Sequence, residues 1–144
     1  MKALDTEAFL VSFYEWLKEG MDAYCENLDI EPIALWHIGP GVLDSLAYYP
    51  AVVLYSETYD VTPFIGTLTV EIGLAYASTD NDDMVTQGRL YHQALEGALN
   101  RSDDRPCLSV IKSQITDAAT SSIFCVMTSV ECAIDLGGYV HDND

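Results

Sequence analysis

The chain has 144 residues, enough for one domain, and 49% of them are apolar, so it can bury a core and is not a disordered segment. Its 23 acids against six bases give a formal charge of −17, which excludes a phosphate-binding surface unless the bases cluster. They do not: Lys2, Lys18, Arg89, Arg101, Arg105 and Lys112 are scattered, and Asp103 and Asp104 separate the closest pair. No apolar run approaches the ~20 residues that span a bilayer, and the start MKALDTEAF lacks the order of a signal peptide. The expectation is a soluble, cytoplasmic product with four reduced, mostly buried cysteines, Cys25, Cys107, Cys125 and Cys132, none in a C-x-x-C pair.

Residues 5–28 read as a helix. Asp5 or Thr6 can cap it, and Phe9, Phe13, Trp16, Leu17, Met21, Tyr24 and Leu28 recur at helical spacing, with Gly20 a weak point. Residues 29–49 are irregular, punctuated by Pro32, Gly39-Pro40-Gly41 and then Pro50, with a short strand expected near residues 33–38 and a helical turn or loop over 44–49. Residues 51–58, AVVLYSET, read as a strand, and residues 59–63 break the pattern. Residues 64–78 form a longer strand in which Leu68, Val70, Ile72, Leu74 and Tyr76 take one face and Thr67, Thr69, Glu71, Gly73 and Ala75 the other. The two strands make an antiparallel hairpin with residues 59–63 at its tip.

Residues 82–100 predict a second helix, with Met84, Gly88, Tyr91, Leu95 and Leu99 on one stripe flanked by Val85, Ala94 and Ala98. Two further strands follow, near 107–116 and 122–136, linked by TDAATS as a second hairpin; Phe124, Val126, Val130, Cys132, Ile134 and Leu136 share one parity in the last. Gly137-Gly138 opens a short polar tail. The fold class is therefore α+β in one domain over residues 1–144: order α-β-β-α-β-β, an antiparallel sheet of two hairpins with two main helices on one face.

The segment TDNDD at residues 79–83 concentrates acids. An EF-hand loop starting at Asp80 would need glycine at its sixth position and glutamate at its twelfth, and the chain has Val85 and Tyr91 there. The acids are better read as a helix start: Thr79, Asp80 or Asn81 caps backbone N–H groups, and Asp82 and Asp83 complement the helix dipole. His37, His92 and His141 form no zinc pattern, no serine sits in G-x-S-x-G, and no glycine-rich phosphate loop occurs. The expectation is no enzyme, no metal and no cofactor. The hairpin tip is different. Tyr59, Asp60, Val61, Pro63 and Phe64 put aromatic and apolar side chains where a plain turn would use Gly, Asn or Asp, so the tip is a candidate contact with another chain; the bland reading folds Phe64 back into the core.

An amphipathic first helix, the long hairpin AVVLYSETYDVTPFIGTLTVEIGLAYAS, the acid-capped helix DNDDMVTQGRLYHQALEGAL and a closing pair of strands together resemble the tail terminator (tail completion) proteins of long-tailed bacteriophages. The resemblance runs over most of residues 5–136 and leaves residues 29–49 without a counterpart. It implies a virion protein of the tail and neck, made in the host cytoplasm, that sits as a ring, typically of six copies, on the head-proximal end of the tail tube. Its implied partners are copies of itself, the tail tube protein and a neck or head-completion protein, with DNA passing through the lumen without specific binding and no membrane involved. Six copies at −17 each carry about −102 formal charges, which would repel rather than hold passing DNA. The rival from another class is a soluble acidic inhibitor that mimics DNA in the basic cleft of a nucleic-acid enzyme; against it, the acids form no long runs and the apolar content is high.

Overall fold

The computed structural model describes residues 2–4, 6–39, 46–61, 65–102, 108–116, 123–135 and 140–142. Helix α1 (Thr6–Asn27) carries the aromatic stripe expected of it: Phe9, Phe13, Trp16, Leu17 and Met21 are all buried. It ends in a Schellman motif, with Ile30 N–H on the Cys25 carbonyl (3.0 Å), Asp29 N–H on the Glu26 carbonyl (3.1 Å), and Asp29 in the left-handed region at φ 55°. Aspartate tolerates that conformation better than most side chains. The cap turns the chain out of the helix and starts the irregular stretch that leads to β2 (Leu35–Ile38).

Strands β3 (Ala51–Val61) and β4 (Ile65–Ala77) form the expected antiparallel hairpin, with a bulge between Ser56 and Thr58. Helix α2 (Asn81–Asn100) follows, then β5 (Leu108–Thr116) and β6 (Ile123–Asp135) as the second antiparallel pair. The five-stranded order is β2-β3-β4-β6-β5, so the second hairpin joins the first through β6, its later strand.

Two features correct the expected architecture. The sheet is mixed, because β2 pairs parallel to β3, Leu35 opposite Ala51 through Ile38 opposite Leu54. Four residues carry too little alternation to announce a pairing direction, and a parallel neighbour depends on the crossover between the strands rather than on either strand's own sequence. The C-terminal end is also more than a polar tail: β7 (Val140–Asp142) pairs antiparallel with β1 (Lys2–Leu4), tying the two ends of the chain together.

Both helices cover one face of the sheet. Val52 and Leu54 of β3, Leu68, Val70, Ile72 and Leu74 of β4, and Phe124, Val126, Val130 and Cys132 of β6 are buried in one cluster with both helix stripes. The parity expected for β4 and β6 is thus the parity observed, over the side chains described. Close approach shapes the α2 side: a Cβ on Gly88 would lie 2.9 Å from Phe124 Cβ and run into its ring, so the helix sits on β6 only because this position lacks a side chain. Gly20 serves the same end on α1. A Cβ there would collide with the Arg101 guanidinium, which lies over the Trp16 ring at 4.5 Å and donates to the Trp16 carbonyl. A residue that weakens an isolated helix is what lets α1 meet the end of α2.

The opposite face is not bare. Ala75, Ile123 and Cys125 make a second small buried cluster under Tyr49 and Ala77, and further along Ser129 Oγ donates to Glu71 Oε2 at 2.6 Å.

Candidate interaction surfaces

The acidic segment is a helix cap. Asp80 is the N-cap of α2, at φ −91° and ψ 117°, and its Oδ1 accepts from the N–H groups of Asp82 (2.9 Å) and Asp83 (3.3 Å). Ser78 Oγ accepts from the Asp80 N–H at 3.2 Å, and the Asp83 carboxylate accepts from Tyr76 Oη at 2.9 Å. Each acid therefore has a local task that satisfies or complements the helix start. Asp80→Ala should cost about 0.5–2 kcal/mol, the range for losing such a cap, read from the midpoint of urea unfolding; an unchanged midpoint would show that Ser78 and solvent can replace it.

The five residues of the expected hairpin tip are divided. Tyr59, Asp60 and Val61 lie in β3, paired with Leu68, Thr67 and Gly66 of β4, so the break expected at residue 59 does not occur and the connection shrinks to residues 62–64. The aromatic Tyr59 and the β-branched Val61 suit a continued ladder, and Asp60 between them does not interrupt it. Pro63 and Phe64 lie outside the described residues.

The remaining candidates are inert or local. Cys25, Cys125 and Cys132 are buried free thiols; burial, helped by Asp22, pushes Cys25 up to about 11, so it stays protonated and unreactive at neutral pH. Cys107 lies outside the described residues. His92 Nε2 is 3.1 Å from Glu96 Oε1 on the same helix, His37 is exposed on β2, and His141 lies in β7, its backbone paired with Ala3. Among the described residues no three His, Cys, Asp or Glu side chains are grouped to hold a metal ion, and no helix is long and apolar enough to cross a membrane.

The helices hold eight acids, Glu7, Glu15, Glu19, Asp22 and Glu26 on α1 with Asp82, Asp83 and Glu96 on α2, against Lys18 and Arg89. Lys18 is already paired with Asp22 at 3.0 Å. The helical layer therefore carries a clear excess of acids over bases.

One concave feature stands apart, and the sequence did not announce it. A groove of about 600 Å³ opens beside the start of β2, between residues 29–34, the Tyr49-Pro50 pair, and Tyr76, Gln87 and Tyr91. Tyr91, 2% exposed, forms part of its floor and donates its hydroxyl to the Glu31 carbonyl at 2.7 Å. Tyr76 stacks on it at a ring distance of 5.4 Å, and Tyr49 Oη accepts from the Leu46 N–H at 3.0 Å. Pro32 and Pro50 were legible only as breaks; what they line depends on the fold bringing three distant tyrosines together.

Comparison with known proteins adds no relative: no protein-family model matches the chain, and no curated protein matches it significantly.

Proposed function

We propose that this chain is a structural virion protein of the tail-terminator kind, which closes the head-proximal end of a phage tail tube as a ring and offers the joining surface for a neck or head-completion protein. The carrying observation is the element order around the mixed sheet: a long first helix, a long hairpin, an acid-capped second helix on the same face, and a second hairpin docked through its later strand. The resemblance drawn from the sequence rests on a like order of helix, hairpin, helix and strand pair, and α2 starts within the segment DNDDM shortly after β4.

The charge pattern supports the same reading. A ring whose helical layers present eight acids against two bases per copy repels DNA from that surface and leaves the duplex free to pass. Self-association of so acidic a chain must avoid setting two helical layers against each other, since like charges across a contact cost several kcal/mol. The contacts between copies are assigned instead to the sheet side and to the β3–β4 hairpin end, whose sequence carries Val61 and Phe64. A closed ring suits a protein that stops growth, because every copy of its own interface is then satisfied.

Val61→Ser with Phe64→Ser should leave the fold intact by circular dichroism and reduce the yield of completed particles, because interface energy concentrates in a few anchors. A folded double variant that completes particles at the normal rate would remove the hairpin end from the contact.

A further inference from the structure

The groove beside β2 has a chemistry of its own, independent of any ring. Its walls are aromatic and proline-rich: Tyr49, Tyr76, Pro32 and Pro50, over a floor of Tyr91 and Ile33. The three tyrosines are held. Tyr91 donates to Glu31 O, Tyr76 donates to Asp83, and Tyr49 accepts from Leu46 N–H, so their rings are fixed before anything binds. Fixed rings lose little entropy on binding, and rigid aromatic-lined grooves are the surfaces on which extended, proline-containing segments dock. The rim is acidic, with Asp29 and Glu31 both exposed, and no Lys, Arg or His lies among the lining residues.

From these features we infer that the groove takes an extended, basic, proline-containing segment of another protein. The proline rings lie against Tyr49 and Tyr76, and a Lys or Arg pairs with Asp29 or Glu31 at the rim. A second copy of this chain is a poor occupant. It has six bases in all, of which Lys18 is paired with Asp22 and Arg101 is stacked on Trp16. Complementary charge across the rim mainly speeds encounter and selects the partner, and it makes binding sensitive to salt.

The test is selection of a displayed library of random peptides of about twelve residues on the full chain, with titration of the enriched peptides. Alongside run Ala34→Arg, which puts a bulky cation on an exposed wall position, and the double variant Asp29→Lys with Glu31→Lys; thermal melting confirms that each is folded. The expected result is enrichment of peptides combining Lys or Arg with proline, and binding at least about tenfold weaker in both variants, a loss of ~1.4 kcal/mol. No enrichment, enrichment of acidic or base-free peptides, or binding unchanged in the folded Ala34→Arg variant would overturn the inference. Oligomers of the wild-type chain that fall apart in Ala34→Arg would also overturn it, giving the groove to a second copy. Peptide selection reads the groove in monomer or ring alike, so its outcome is separable from the terminator reading.

Discussion

Phe13→Ala should destabilise the fold by about 3–5 kcal/mol, the range for truncating a buried phenylalanine. Phe13 is 1% exposed at the centre of the α1 stripe, with its ring 6.1 Å from Phe9 and 5.9 Å from Trp16. The loss has two parts: the transfer of the ring out of water, and a cavity that a helix anchored on both sides by aromatics cannot close. Domains of this size are stable by roughly 5–15 kcal/mol, so the variant should unfold at a much lower urea concentration. A loss below about 1 kcal/mol would mean that α1 is not fixed on the sheet through this residue.

The second large effect is expected on the other helix. Leu95 is fully buried on the α2 stripe, one turn from Tyr91 and Leu99, above the strands β4 and β6. Leu95→Ala should cost about 2–5 kcal/mol in equilibrium unfolding. A value under about 0.5 kcal/mol, the scale of surface substitutions, would place the stripe on the outside of the molecule. Leu95 and Phe13 sit on different helices of one cluster, so the double variant tests whether the two halves of the core share their cavities: a cost different from the combined single costs would show coupling.

The periodic parts of the chain were the legible parts. The aromatic stripe of residues 9–21, the alternation from Leu68 to Tyr76 and the stripe from Met84 to Leu99 each repeat often enough for spacing alone to name the element and its buried face. A cap was legible among Thr79, Asp80 and Asn81 because the role needs only the next three residues, and the fold gives it to Asp80. What escaped was non-local. The parallel pairing of β2 depends on how the stretch from residue 39 to Pro50 returns the chain, and the β1–β7 pair joins residues 2–4 to 140–142 across the whole sequence. The hairpin end was misplaced because residues 59–63 together were read as a break, whereas Tyr59 and Val61 favour the ladder that they join. The tyrosine groove escaped for the same reason as β2: Tyr49, Tyr76 and Tyr91 belong to three elements, and only the fold brings them together.

Closure into a ring is the claim on which the functional reading depends. Native mass across a rising concentration series tests it most directly, because a closed assembly saturates at one size. The account predicts a plateau near six copies of the 15.9 kDa chain, about 95 kDa, with no growth beyond it. A chain that remains at 15.9 kDa at every concentration, or that grows without limit, would contradict it; the first result would favour an acidic inhibitor acting as a single copy.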